Sequence, residues 1–261
     1  MFATQYLEGK IANWLRGTDF PTAPTNLKLA LSTADPTDTG AGLTEPVNAE
    51  YARQALTFSA PITNDVSGTT MSNAAQILFS AAGNITHFAV LDNSDNVLLY
   101  GPMAAVRNIS DVDSVTFAAA TLQFAFKGLY GKYLAEAVVN WMRGTNMPSA
   151  PASLDFALST SDPKRDGSGL AEPNSSTGNY ARKAVTLGAP TQSAGVGTSL
   201  QGTNEIVFGP ATDAPWGSIS HWALLDPGEH VLLQGAFSAP KTVPVGQGYG
   251  LNAGTVSFLI R

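Results

Sequence analysis

Asn13-Trp14-Leu15-Arg16-Gly17-Thr18 and, 127 residues later, Asn140-Trp141-Met142-Arg143-Gly144-Thr145 are one hexapeptide met twice. The likeness spreads outward from it. Tyr6-Leu7 returns as Tyr133-Leu134, and Pro21-Thr22-Ala23-Pro24 as Pro148-Ser149-Ala150-Pro151. Ala30-Leu31-Ser32-Thr33 with Asp35-Pro36 returns as Ala157-Leu158-Ser159-Thr160 with Asp162-Pro163. Gly40, Gly42-Leu43 and Glu45-Pro46 return as Gly167, Gly169-Leu170 and Glu172-Pro173. From Tyr6 to Pro46 the offset holds at 127, and 22 of 41 positions are identical. The chain is therefore a tandem duplication. Downstream the offset grows: Tyr51-Ala52-Arg53 returns as Tyr180-Ala181-Arg182, and Ile85-Thr86-His87 as Ile219-Ser220-His221. Such drift places insertions in loops, where a fold tolerates them. The spacing predicts one domain over 1–129 and a second over 130–261. The junction within Lys127-Gly128-Leu129-Tyr130-Gly131-Lys132 is too short for a flexible tether.

Each copy opens with apolar residues at helical spacing, Tyr6, Leu7, Ile11, Trp14 and Leu15 in the first and Tyr133, Leu134, Val138, Trp141 and Met142 in the second. Gly17 and Gly144 follow as helix stops, with prolines shortly beyond. The remainder reads as short strands between Gly, Pro, Asn and Asp turns. Strands are expected over 27–32, 52–58, 76–79, 86–91, 97–100 and 114–126, and over 154–159, 181–187, 205–208, 221–225, 231–234 and 255–260. The fold class expected is mainly β: two tandem β-sandwich domains, jelly-roll-like as one option, each preceded by a short N-terminal α-helix. Each helix is expected across one end or edge of its own sandwich.

The bulk chemistry excludes several functions. Of the 261 residues only 13% are charged, and the net charge is −6. Soluble domains carry roughly a quarter. Such a surface is either covered by other protein or rich in Ser, Thr and Asn. The basic residues are scattered, so no nucleic-acid partner is expected. There is no cysteine, hence no disulfide and no thiol chemistry. No apolar run of transmembrane length and no signal peptide is visible, so no membrane partner is expected.

The polar motifs read as structural. Asp35-Pro36 with Asp38, and Asp162-Pro163 with Asp166, resemble turn openers more than a calcium loop, whose alternating ligands and closing Glu are missing. Glu45 and Arg53, and likewise Glu172 and Arg182, stand at the two ends of one loop. With Asp35 and Asp162 nearby they are expected to form a loop clamp, since Arg suits bidentate carboxylate contacts. A glycosidase pair of carboxylates is the competing reading. His87 and His221 lie inside apolar runs, with no nucleophile or acid partner in view. Trp14, Trp141, Trp216 and Trp222 could act as sugar platforms, but the first two lie on the apolar helix face. Trp216, in a loop insertion confined to the second copy, is the candidate for an exposed partner contact. No catalytic, cofactor-binding or metal-binding residue is assigned, and no enzymatic activity is expected.

The string from Trp14 to Pro46, with Tyr51-Ala52-Arg53 and Ile85-Thr86-His87-Phe88-Ala89-Val90-Leu91-Asp92, resembles a family of small tailed-bacteriophage virion structural proteins often labelled tail fibre proteins. Members usually carry one such domain; here the resemblance covers both halves. It implies a non-enzymatic virion component. The expectation drawn from it is a capsid decoration or cement protein that binds the major capsid protein at capsomer junctions. It would assemble as a homotrimer, whose six similar domains suit a three-fold position. The alternative is a tail fibre or receptor-binding tail protein.

Overall fold

The apolar faces of the two opening helices decide how the copies sit together. The computed structural model describes residues 1–80, 83–109 and 113–261. The first copy runs β1 (Phe2–Ala3), α1 (Gln5–Leu15), β2 (Leu27–Ser32), β3 (Gln54–Leu56), β4 (Ile62–Asn64), β5 (Gly68–Ser72), β6 (Ile77–Leu91), β7 (Val97–Phe117) and β8 (Gln123–Phe126). The second runs α2 (Lys132–Met142), β9 (Asp155–Ser159), α3 (Ser175–Gly178), β10 (Lys183–Ala184), β11 (Thr191–Ser193), β12 (Gly197–Gln201), β13 (Ile206–Phe208), β14 (Gly217–Leu225), β15 (Val231–Val243), β16 (Tyr249–Leu251) and β17 (Ser257–Ile260).

The first copy pairs β1-β7-β6-β2-β3 in one sheet and β4-β5-β8 in another. The second pairs β10-β9-β14-β15, β11-β12-β17 and β13-β16. The chain is thus mainly β, built of antiparallel sheets, with a short helix opening each copy. Leu29, Val90 and Leu99 from one sheet share a core with Met71, Phe124 and Phe126 from the other. Both helices end at a left-handed glycine, Gly17 at φ +88° and Gly144 at φ +92°. Only glycine adopts that conformation without a Cβ penalty.

Several strand boundaries differ from those expected. Segments 77–79 and 86–91 belong to the single strand β6, and 97–100 grows into β7. The two run as one hairpin from Leu91 opposite Val97 to Ile77 opposite Phe117. Cross-strand hydrogen bonds satisfy the backbone of polar stretches that read as turns in the sequence. Segment 114–126 instead breaks into the end of β7 and β8. The Asn73 side chain pins a turn there, donating to Ala118 O and accepting from Leu122 N. The short strands β4, β5, β11 and β12 escape sequence patterning because Ser and Thr fill them. Thr69 and Thr198 are buried all the same.

The helices do not lie on their own sandwiches alone. Helix α1 packs against β7 of its own copy and against β12 and β17 of the other. Helix α2 packs against its own β15 and against β5 of the first copy. Leu7, Ile11, Trp14 and Leu15 are buried, as are Leu134, Val138, Trp141 and Met142. All join one continuous core containing side chains from both copies. Each buried aliphatic side chain contributes roughly 1.5–3 kcal/mol, so the seam is part of the core.

Polar contacts across the seam repeat under a pseudo-two-fold. The Trp14 indole N–H donates to Pro148 O at 2.9 Å, and that of Trp141 to Pro21 O at 2.8 Å. Arg16 Nε donates to Leu187 O at 3.3 Å, and Arg143 Nε to Phe58 O at 3.2 Å. Ala23 N donates to Asn146 Oδ1 and Ala150 N to Asp19 Oδ1, both at 2.8 Å. Such reciprocity is the mark of an isologous interface, here closed within one chain. Replacing Trp141 by Phe keeps most of the apolar contact and strands the Pro21 carbonyl. Urea denaturation is expected to show a loss of about 1–3 kcal/mol with an unchanged m-value.

Candidate functional site

The most ordered polar constellation is the duplicated Glu/Arg loop. Arg53 Nε lies 3.1 Å from both Glu45 carboxylate oxygens, and Nη2 donates to Oε2 at 2.9 Å. The second copy repeats this with Arg182 Nε at 3.1 and 3.0 Å and Nη2 at 2.7 Å from Glu172. The guanidinium fork meets the carboxylate in plane, which holds the two loop ends together. The remaining nitrogen reaches the turn after β6 or β14: Arg53 Nη1 meets Asp95 at 2.6 Å and Arg182 Nη1 meets Glu229 at 2.5 Å. Paired carboxylates hold both guanidiniums above their ordinary pKa.

Tyrosines complete each clamp. Tyr51 Oη donates to Glu45 at 2.7 Å and accepts from Leu31 N at 3.0 Å. Tyr180 Oη accepts from Leu158 N at 2.8 Å. Tyr51 and Tyr180, with Asp95 and Glu229, are members that the sequence reading missed. The repeated Tyr-Ala-Arg was the available signal, since strand alternation puts Tyr and Arg on one side.

Asp35 and Asp162 do not join the clamps. Each carboxylate turns back on its own loop: Asp35 Oδ1 accepts from Thr37 N at 2.8 Å and Asp162 Oδ1 from Lys164 N at 2.9 Å. An Asp before Pro readily makes this local bond, and Asp35 Oδ1 also lies 4.0 Å from His87 Nε2. His87 and His221 sit on the strands, each with Nδ1 2.8 Å from the preceding hydroxyl, Thr86 or Ser220. Among the described residues no three His, Asp or Glu side chains converge on a common point.

Trp216 is not an exposed contact. It is 3% exposed, and its indole N–H donates to Gly178 O at 2.6 Å. Its ring stands edge-on to Tyr180 at 5.5 Å. The offset between copies rises from 129 at Phe79–Phe208 to 134 at Ile85–Ile219, so five residues enter this loop. They split what is one hairpin in the first copy into β13–β16 and β14–β15. The loop folds back over the break, with Trp216 N donating to Val243 O and Ala211 N to Gln247 O, both at 2.9 Å. A large ring at such a gap buries itself once its N–H finds an acceptor.

The two seams are related in backbone and different in charge. Gln5 N donates to Asp38 O at 2.8 Å, and Lys132 N to Arg165 O at 2.7 Å. Asp38 and Arg165 thus hold equivalent places. At the first seam a cavity of about 370 Å³ is lined by Glu8, Asp38 and Tyr100, among others. Glu8 is 4% exposed and accepts from Thr198 Oγ1 at 3.0 Å. Burial, with Asp38 adding to it, pushes the Glu8 carboxyl up to about 7. At the second seam Ala135 replaces Glu8. Arg165 is buried there and donates from Nη1 to Tyr130 O at 2.8 Å.

Comparison with known families gives a match over both copies. The model described as Podophage GP4 fiber I protein gp80 matches the chain twice, over residues 2–125 and 130–258. No curated protein matches the sequence.

The seam carboxylate gives stability a pH dependence. The folded chain keeps a proton on Glu8 that the unfolded chain releases between pH 4.5 and about 7. Stability on this account falls as pH rises through that window and stays low above it. Gln carries no charge to desolvate. Glu8→Gln is expected to raise Tm by about 2–4 °C at pH 8 and by less than about 1 °C at pH 4.5, read by calorimetry.

Proposed function

The chain belongs to the Podophage GP4 fiber I protein gp80 family, and on that premise we propose that it is a non-enzymatic fibre protein carried on a phage tail. The coarser statement, a structural protein of the phage virion, follows from family membership. The observation that carries the finer one is the double match, one for each copy, to a family described as a fibre protein.

The polar geometry supports a structural role. Glu45 and Glu172, the carboxylates that a glycosidase reading would use, each face a guanidinium fork within their own loop. Both oxygens of each carboxylate are engaged by a guanidinium fork, so the carboxylate holds the loop together rather than facing an open cleft. Both copies keep the arrangement.

The expectation of a capsid cement bound to the major capsid protein draws nothing from the fibre description. Assembly as a homotrimer remains part of the proposal and suits either place on the particle. Electron cryomicroscopy of virions whose gene for this chain is interrupted separates the two. The expected result is a missing tail-associated fibre on an unchanged shell. A missing capsid surface knob with fibres intact would overturn the fibre reading in favour of capsid decoration.

A further inference from the structure

The second copy holds a cavity of about 200 Å³ at the rim between its sheets. Its walls include Phe156, Trp222, Phe237, Leu251 and Phe258, and the exposed Ser238 and Ser257 stand at its rim. The volume equals that of about seven liquid waters, room for one sugar ring.

The first copy puts different side chains at the corresponding positions. Phe88 stands where Trp222 does, Phe117 where Leu251 does, and Leu122 where Val256 does. Phe88 is buried and meets Phe117 edge-on at 5.9 Å. In the second copy two of these residues are smaller, and a larger, half-buried ring takes the wall. Trp222 is held in place: it stacks on Phe156 at 5.7 Å and tilts against Phe258 at 5.2 Å. Gly235 gives it room, since a Cβ there would fall 2.8 Å from Trp222 Cζ2.

The polar groups of this cavity are unused. The Trp222 indole N–H and the Ser238 and Ser257 hydroxyls make no hydrogen bond among the described residues. The other three tryptophans contrast with this: Trp14, Trp141 and Trp216 each donate to a backbone carbonyl. Trp222 is half-buried and Ser238 and Ser257 are exposed, so an occupant would meet an aromatic wall with polar groups at the mouth. Aromatic walls with a few convergent polar groups suit a ligand that has C–H faces and hydroxylated edges.

We propose that this cavity binds a single saccharide ring. One C–H face lies on the indole, and hydroxyls meet Trp222 Nε1, Ser238 Oγ and Ser257 Oγ. The site belongs to the second copy alone, and the assignment holds whether the chain is carried on tail or capsid.

The test is a titration of the full ¹⁵N-labelled chain, following the four indole N–H cross-peaks by NMR, with Trp222→Phe assigning the relevant one. The probes are the methyl glycosides of glucose, galactose and N-acetylglucosamine, to ~50 mM, which covers millimolar affinities. At least one glycoside is expected to shift the Trp222 peak. Leu251→Phe restores the first copy's residue and is expected to abolish the shift while leaving Tm unchanged. Trp222→Phe is expected to weaken binding at least tenfold, followed on the backbone amides of β14 and β15. No shift with any of the three glycosides, or a shift that survives Leu251→Phe, overturns the proposal. A shift with benzene and none with the glycosides assigns the cavity to an apolar side chain and overturns it too.

Discussion

The packing of each opening helix against the other copy is the constraint on which the rest of the structure depends. An eleven-residue amphipathic helix has little stability in isolation and needs a surface for its apolar stripe. Here the surface comes from both copies at once, because α1 lies against β12 and β17 and α2 against β5. The tryptophan at each helix end fixes this packing. Its indole is buried and needs an acceptor, and the acceptor is a proline carbonyl of the opposite copy. A rotation or slip at the seam would strand both N–H groups together. The short junction therefore joins two halves that already share one core.

The duplication, the helices and the mainly β class were legible in the sequence because they rest on local periodicity and repetition. The Glu45–Arg53 and Glu172–Arg182 pairings were legible for the same reason. Their further partners Asp95 and Glu229 were not, since they lie on a turn that only strand pairing brings near. The packing of each helix on the other copy was also hidden. An apolar stripe says that a helix is covered, not by which copy. Trp216 was misread because a loop insertion looks exposed in sequence, whereas the inserted residues fold back and carry the ring inward. The boundaries of β6 and β7 were misread because hydrogen bonding along a hairpin does not require apolar alternation.

The copies have diverged where the two-fold leaves them free. Residues that build the seam recur on both sides: Trp14 and Trp141, Arg16 and Arg143, Gly17 and Gly144. Residues beside it do not, as with Glu8 against Ala135 and Asp38 against Arg165. One seam has a cavity with a buried carboxylate, and the other has a buried guanidinium. Farther out, Phe88 and Phe117 stand where the second copy has Trp222 and Leu251. The duplication thus keeps its internal symmetry at the seam and leaves the two copies chemically different beside it.

The central claim is that each helix is held by the other copy. The most direct measurement is a NOESY spectrum of the intact chain, read at the indole N–H protons of Trp14 and Trp141. Cross-peaks are expected from Trp14 to Pro148 and Ser149, and from Trp141 to Pro21 and Thr22. Cross-peaks from each indole only to residues of its own copy would contradict it.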